Sequence, residues 1–199
     1  MSACRVVLAS SSPRRRELLT LIGIPHEVRP SNLDETMRPH EKPRSHAERL
    51  AREKASVVAS EDSNLLTIAA DTIVVVDRKV LGKPADARDA ARMLGMLSGR
   101  EHTVITAVAV SRGKELRSAV EEVTVKFRRL NADEIDAYIA TGEPMDKAGA
   151  YGIQGFGATI VERVEGDYFA VMGLPLVRLV GLLGEVGITY RFGALDADD

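Results

Sequence analysis

The stretch RVVLASSSPRRR, residues 5–16, decides the fold class because it changes from an apolar strand to a helix within one short turn. Residues 5–9 are typical of a short buried strand, and the run after Pro13 spaces its apolar side chains at helical intervals. Ser12 suits the N-cap, Pro13 suits the first helical turn, and Gly23 ends the helix. A strand that leads directly into a helix favours an α/β fold.

The rest of the chain continues this mixture of helical and strand patterns. A turn at residues 112–114 favours a hairpin, the apolar stretch around Pro175 predicts the last helix, and residues from about Gly193 predict a frayed end. The sequence therefore predicts an α/β fold with a mixed central sheet flanked by helices, as one domain over residues 1–199. The helices are predicted over about 45–60, 87–97 and 133–141, and the strands over about 67–76, 102–111, 119–127 and 159–164.

The composition excludes several classes of protein. The 27 basic and 29 acidic residues leave a formal net charge of −2, so the basic footprint of a nucleic-acid-binding protein is missing. The single cysteine, Cys4, cannot form an internal disulfide, which indicates a reducing, cytoplasmic compartment. No apolar run reaches about 18 residues, so we expect no membrane-spanning segment, and we expect no signal peptide.

Three arginines at the start of the first helix form a local cluster within this balanced chain. Each cation at a helix N-terminus opposes the helix dipole by about 0.3–1 kcal/mol, so Arg14, Arg15 and Arg16 are unfavourable for helix stability alone. Together with the hydroxyls of Ser10 and Ser12 and with free backbone N–H groups, they are typical of a phosphate site. The alternative is that the arginines lie in solvent.

Asp71 lies in the middle of the apolar run IAADTIVVV, residues 68–76. A carboxylate in such a strand needs a partner, a metal ion or a position at a strand end. A structural ion pair and a role as metal ligand or general base both remain open. The four histidines lack the spacing of a zinc site, whereas carboxylates and phosphate oxygens would suit Mg²⁺ or Mn²⁺.

Other charged residues are ordinary on composition alone. Asp34 and Glu35 are typical of a solvated loop, and Lys54 is expected on the polar face of its helix, in solvent. Lys83 lies in a tight turn between glycine and proline. The glycine-rich residues 151–157 form either a flexible turn or a loop that brings Gln154 close to a flat ligand.

A set of short segments forms an ordered series along the chain. The segments are Leu8-Ala9-Ser10-Ser11-Ser12-Pro13-Arg14-Arg15, Glu17-Leu18-Leu19, Asp34-Glu35, residues 50–55, Ala70-Asp71-Thr72, Gly82-Lys83-Pro84, residues 97–100, residues 146–155 and Gly173-Leu174-Pro175-Leu176. Taken in order, they resemble the Maf family of nucleoside triphosphate pyrophosphatases. The similarity runs from residue 8 to about residue 180, and chance does not explain so many ordered matches.

The resemblance implies the fold of inosine triphosphate pyrophosphatases, with a ligand cleft between two lobes. It also implies hydrolysis of a nucleoside triphosphate to the monophosphate and pyrophosphate with a divalent cation. By matching position, Asp71 is the expected proton acceptor. The expected metal ligands are Asp71 and, as the second ligand, Glu35. The pocket positions are Ser10, Arg15, Glu35, Lys54 and Lys83, and the positions tied to substrate preference are Arg14, Thr72 and Gln154.

The nucleotide base can be argued from hydrogen-bond chemistry. A uracil or thymine edge offers an N–H donor beside a carbonyl acceptor, and the Gln154 amide can satisfy both. The segment Tyr151-Gly152-Ile153-Gln154-Gly155 also resembles the dTTP/UTP subgroup of the family. We therefore expect dTTP and UTP as substrates and, by family analogy alone, a homodimer. The alternative is a non-enzymatic, nucleotide-binding regulator of cell division.

Overall fold

The computed structural model describes residues 5–62 and 64–197, so Cys4 and the prediction attached to it lie outside the described residues. Strands and helices are mixed along the chain, as the sequence predicts. The strands are β1 (Val6–Leu8), β2 (Glu27–Val28), β3 (Leu66–Val76), β4 (Lys79–Leu81), β5 (Glu101–Arg112), β6 (Glu115–Phe127), β7 (Val161–Glu165), β8 (Ile188–Arg191) and β9 (Ala194–Ala197). The helices are α1 (Pro13–Leu21), α2 (Pro43–Ala59), α3 (Ala87–Leu97), α4 (Ala132–Ala140), α5 (Tyr168–Met172) and α6 (Leu176–Glu185).

The central sheet is mixed, which confirms the predicted fold class. Its strands follow the order β2-β1-β3-β5-β6-β7, and β4 pairs with β3. Strand β1 is parallel to both β2 and β3, whereas β4 and β7 are antiparallel to their neighbours. Strands β8 and β9 form a separate antiparallel hairpin.

The chain divides into two compact units. The first contains the described parts of Met1–Asp71, Thr106–Glu121 and Gly173–Asp199. The second contains Thr72–Ile105 and Glu122–Met172. The single domain expected over residues 1–199 stays a prediction.

The core of the first unit rests on small and branched side chains. Leu18 and Leu19 of α1 are buried, as are the three residues of β1. Helix α2 starts at Pro43, two residues before the predicted start, because proline suits the first helical turn. Its buried face consists of His46, Ala47, Leu50, Ala51, Lys54, Ala55 and Val58.

The second unit has its own apolar core around α3 and Phe127. Helix α3 has the predicted bounds, and its N-cap Asp86 accepts a hydrogen bond from the backbone N–H of Asp89 at 2.8 Å. Helix α4 starts with the predicted capping box, in which Asn131 and Glu134 each accept from the other's backbone N–H. These local signals fix where both helices begin.

Two predictions near the C-terminus are wrong. The apolar stretch around Pro175 is two helices, α5 and α6, because Gly173 adopts a φ of +110° and proline cannot continue the preceding helix. The expected frayed end is instead the hairpin of β8 and β9, at least as far as Ala197. The Tyr190 hydroxyl donates to the carbonyl of Ile22 at 2.8 Å, a long-range contact that composition does not reveal.

No helix within residues 5–62 and 64–197 is long and apolar enough to cross a lipid bilayer.

A buried histidine lies among aromatic rings in the second unit. His102 is 3% exposed, and its Nε2 lies 2.7 Å from the Tyr151 hydroxyl oxygen. Phe127 packs edge-on against its ring, while His102 Nδ1 is buried without a hydrogen-bond partner. Burial lowers the pKa of His102 to about 4, so the imidazole is neutral at pH 7.

This histidine predicts a fall in stability on mild acidification. Because the pKa is depressed in the folded state, the unfolded chain takes up the proton first as the pH falls below about 6.5. The free energy of unfolding should lose roughly 3 kcal/mol from this group between pH 6.5 and 4. Urea unfolding of the wild type and of His102→Gln at both pH values measures it. The wild type should show the steeper loss, and equal losses would contradict the assignment.

Candidate functional site

The parallel pairing of β1 with β3 brings the serine-rich turn close to the acidic residue of β3. Leu8 lies opposite Ile68 in this register. Ser10 follows Leu8 by two residues, and Ala70 follows Ile68 by two residues. Arg15 bridges them, because its Nη1 donates to the Ser10 hydroxyl at 3.0 Å and to the Ala70 carbonyl at 2.8 Å. Residues far apart in sequence are thus joined immediately before Asp71.

Arg15 also fastens the start of α1 to a third segment. Its Nε donates to the carbonyl of Gly173 at 2.8 Å. The guanidinium therefore makes a hydrogen bond to each of three chain segments of the first unit. We conclude that Arg15 organises this end of the sheet in addition to supplying positive charge.

The electrostatic surroundings of Arg15 favour an anion. Burial, with Arg14 acting in the same direction, lowers the pKa of the Arg15 guanidinium below its ordinary value, although Asp71 and Glu35 act against the shift. A partly desolvated cation interacts more strongly with a ligand charge than a solvated one does. The two arginines thus form a positive cluster at the start of α1.

The serine-rich turn confirms the predicted N-cap position of α1. Ser12 is the N-cap residue of α1, but its side chain makes no capping hydrogen bond. Instead the backbone N–H of Ser12 donates to the Ser10 hydroxyl at 3.2 Å. The first turn of α1 also contains no acidic residue, so no carboxylate of the helix itself offsets its positive end.

Asp71 and Lys54 form a buried ion pair in the first unit. Each residue is 6% exposed, and Lys54 Nζ lies 2.7 Å from Asp71 Oδ1. The same ammonium lies 2.6 Å from Glu35 Oε1, although the Glu35 side chain is 57% exposed. Asp71 Oδ2 is buried and has no hydrogen-bond partner. One carboxylate oxygen is therefore held in place, while the other is available to accept a proton or contact a cation.

The prediction that Lys54 lies in solvent on a polar helix face is wrong. The apolar residues of α2 that flank it, from Leu50 to Val58, define the buried face on which Lys54 lies. Asp71 supplies the charge that makes burial of the lysine tolerable. Glu35 is an exposed loop residue, as expected, but it also contacts Lys54, whereas its neighbour Asp34 accepts hydrogen bonds locally from Thr36.

A second charged cluster fixes the loop that carries Glu35, and the sequence did not single it out. Arg49 of α2 donates to both oxygens of Glu41, at 2.6 and 2.8 Å, and to the carbonyl of Thr36 at 3.3 Å. The hydrogen bonds from Arg49 hold the pKa of Glu41 far below its ordinary value, so this carboxylate stays charged. The signal in the sequence that could have indicated this cluster is Glu41, an acidic residue shortly before the arginines of α2.

The remaining predicted residues belong to the second unit. Thr72 follows Asp71 in β3 and is half-buried. Lys83 is exposed in the turn after β4, and this turn is held because the Gly82 carbonyl accepts from the backbone N–H of Gly149 at 3.0 Å. Gln154 is exposed in the glycine-rich loop.

The glycine-rich loop is ordered by a residue that the sequence did not single out. The carboxylate of Glu143 accepts hydrogen bonds from the backbone N–H groups of Phe156 and Gly157, at 2.9 and 3.0 Å. Ile153, next to Gln154, is buried. Of the two readings left open by the sequence, a freely flexible turn does not fit these contacts.

Comparison with known proteins identifies the family. The profile of the family described as "Maf-like protein" matches residues 5–186. This chain belongs to the Maf family. Relatives of this Maf chain include a protein of Moorella thermoacetica named dTTP/UTP pyrophosphatase, 51% identical over 92% of this chain and 96% of the relative. A protein of Syntrophomonas wolfei with the same name is 54% identical over 90% of this chain and 96% of the relative.

A solved structure with the same fold is that of a HAM1 protein from Coxiella burnetii. The two chains are 15% identical, and the match covers 92% of this Maf chain and 99% of the HAM1 chain with a TM-score of 0.51. At this identity the comparison supports the mixed α/β fold alone.

The buried ion pair predicts a large effect of removing Lys54. Lys54→Met leaves the Asp71 carboxylate buried without its counterion, so the free energy of unfolding should fall by about 3–5 kcal/mol in urea titrations. The matched control is Lys83→Met, which removes an exposed lysine and should change it by less than about 0.5 kcal/mol. Combining Lys54→Met with Asp71→Asn should recover part of the loss. Wild-type stability of Lys54→Met would contradict the pairing.

Proposed function

We propose that this chain is a nucleoside triphosphate pyrophosphatase that hydrolyses dTTP and UTP to the nucleoside monophosphate and pyrophosphate. The observation that carries the proposal is the Asp71 carboxylate: Lys54 holds its Oδ1, while its buried Oδ2 has no hydrogen-bond partner and the carboxylate interacts with Arg15 at the start of α1. Two relatives that are 51% and 54% identical over almost the whole chain and are named dTTP/UTP pyrophosphatase support the same reaction.

The phosphate chain would be bound mainly by the start of α1. A triphosphate carries several negative charges, and the positive end of α1, the arginines and the serine hydroxyls are complementary to them. Hydrolysis at phosphorus depends largely on positioning and charge neutralisation. The residues proposed to bind substrate are Ser10, Ser12, Arg14, Arg15, Lys54, Thr72, Lys83 and Gln154.

Asp71 would act on the attacking water. The water oxygen forms a bond to the α-phosphorus, the bond from that phosphorus to the α–β bridging oxygen breaks, and pyrophosphate leaves. Asp71 Oδ2 accepts the proton that the water loses, while Lys54 holds Oδ1 and fixes the carboxylate. Arg15 stabilises the negative charge that develops on the phosphate oxygens.

A divalent cation, Mg²⁺ or Mn²⁺, fits the carboxylates of this cluster. Asp71 Oδ2 serves either as the proton acceptor or as a ligand of this cation, and Glu35 contacts the same lysine from a largely exposed position. Among residues 5–62 and 64–197, no group of three or more His, Cys, Asp or Glu side chains could hold a metal ion. We therefore propose Asp71 and Glu35 as its protein ligands, with substrate phosphate oxygens and water completing the shell. When bound, the cation neutralises phosphate charge and lowers the pKa of its water.

Base recognition would depend on Gln154, with Thr72 and Arg14 as the other positions tied to substrate preference. Gln154 is exposed on an ordered loop, so its amide can meet the donor and acceptor of a uracil or thymine edge.

The homodimer and the cytoplasmic location stay predictions. So does the absence of nucleic-acid and membrane partners.

A nucleotide panel with product identification tests the proposed reaction. With Mg²⁺ present, dTTP and UTP should give the monophosphate and pyrophosphate with the highest kcat/KM of the common nucleoside triphosphates. Removing the cation with EDTA should abolish turnover, and added Mg²⁺ or Mn²⁺ should restore it. Binding of nucleotide without any pyrophosphate release would favour the non-enzymatic regulator instead. A clear preference for 7-methyl-GTP or ITP would refute the proposed base specificity.

Substitution of Asp71 tests the proposed proton acceptor. Asp71→Asn keeps the size of the side chain but cannot accept the proton, so kcat for dTTP should fall about 10²–10⁴-fold. Asp34→Asn is the matched control, because the Asp34 carboxylate is exposed and accepts its hydrogen bonds from nearby Thr36. Circular dichroism checks that both variants fold. Near-normal turnover of a folded Asp71→Asn protein would remove Asp71 from this role.

A further inference from the structure

Two side chains of the second unit hold the glycine-rich loop on both sides of Gln154. On one side, the backbone N–H of Gly152 donates to the Tyr138 hydroxyl oxygen at 3.1 Å. On the other side, the Glu143 carboxylate accepts the N–H groups of Phe156 and Gly157. The Tyr138 hydroxyl in turn donates to Glu143 Oε1 at 2.7 Å, which connects the two sides.

The glycines of the loop fit closely around this carboxylate. A Cβ at Gly155, where φ is +64°, would lie 2.5 Å from Glu143 Oε2. A Cβ at Gly157 would overlap the Gly152 carbonyl oxygen and lie 2.7 Å from the Tyr138 hydroxyl. The loop therefore approaches Glu143 and Tyr138 as closely as bare backbone allows, so that the hydrogen bonds can form.

Glu143 remains charged in this position. Burial alone would raise its pKa, but hydrogen bonds from the Tyr138 hydroxyl and from the N–H groups of Gly157 and Phe156 outweigh burial and hold the pKa below its ordinary value. Hydrogen bonds to a carboxylate are stronger than those to a neutral acceptor. A single ionised side chain thus gathers three donors and fixes the loop.

We propose that Glu143 is the positioning residue for base selection, acting through the backbone of the loop that presents Gln154. The proposal rests on the proposed function, since Gln154 must read the pyrimidine edge. A side-chain amide discriminates between uracil and cytosine only if it is held in place, because cytosine presents an acceptor and a donor where uracil presents a donor and an acceptor. Recognition groups must be fixed within about 0.5 Å to be effective.

The expected kinetic signature is a loss of binding and selectivity. Glu143→Ala removes the acceptor for all three donors, so the loop pays an ordering cost each time substrate binds. KM for UTP should rise about tenfold, kcat should change less than about threefold, and the preference for UTP over CTP should fall about tenfold. Glu143→Gln keeps an acceptor but turns its NH₂ group toward a donor. Its KM for UTP and its preference for UTP over CTP should therefore lie between those of Glu143→Ala and the wild type.

The matched control is Glu134→Ala. Like Glu143, Glu134 is a carboxylate of the second unit that accepts a backbone N–H, but it caps α4, and the donors to it belong to Asn131 and Arg128, outside residues 152–157. The Glu134→Ala variant should be less stable than the wild type but should keep the same preference for UTP over CTP. Tyr138→Phe should change the preference in the same direction as Glu143→Ala, and the two effects should not add because both residues belong to one network.

Hydrogen exchange separates the possible failures. The amides of residues 152–157 should lose protection in Glu143→Ala and keep it in Glu134→Ala. If the wild type hydrolyses UTP and Glu143→Ala retains the same KM and the same preference, the proposal is overturned. A wild type without pyrophosphatase activity would overturn the proposed function and, with it, the role in selection, whereas the exchange result would still report whether Glu143 holds the loop.

Discussion

The arrangement of the first unit depends on the buried pair of Asp71 and Lys54. Removing one partner of such a pair leaves an uncompensated charge and costs about 3–5 kcal/mol, so the two side chains must arrive together. Asp71 reaches the pair through β3, and Lys54 reaches it only because α2 turns that face inward. The pair therefore ties the placement of α2 to the register of the sheet. Glu35 contacts the same ammonium and is brought there by the loop before α2.

Local patterns predicted most of the fold because they act within a few residues. The spacing of the apolar residues and the capping residues predicted the bounds of α3 and the capping box of α4. A tight turn indicated the hairpin of β5 and β6. The break between α5 and α6 was missed although glycine and proline both lie in it, because hydropathy alone made the stretch continuous. The hairpin of β8 and β9 could not be predicted from composition, since residues far away in sequence hold it.

The candidate site could be predicted where a residue conflicts with its local surroundings. Arginines at a helix start and an aspartate in an apolar strand are both unfavourable locally, and the structure brings Arg15 and Asp71 into the same cluster. Lys54 was misplaced because a lysine in an otherwise apolar stripe was assigned to solvent by its residue type. Glu41 and Glu143 were missed for a different reason. Each accepts a hydrogen bond from a donor well away along the chain, 8 residues from Glu41 and 13 residues from Glu143, and that arrangement exists only after folding.

The C-terminal hairpin changes how α1 should be regarded. The matched family segment ends at residue 186, and β8 begins at Ile188, so the hairpin lies beyond it. It nevertheless contacts the end of α1, through Tyr190 on Ile22 and through the close approach of Gly193 to Gly23, where a Cβ on Gly23 would lie 2.8 Å from the Gly193 Cα. Helix α1 is thus anchored at its start by Arg15 and at its end by the hairpin. A short helix that is held at both ends is rigid, so the cations of its first turn are held in fixed positions as well.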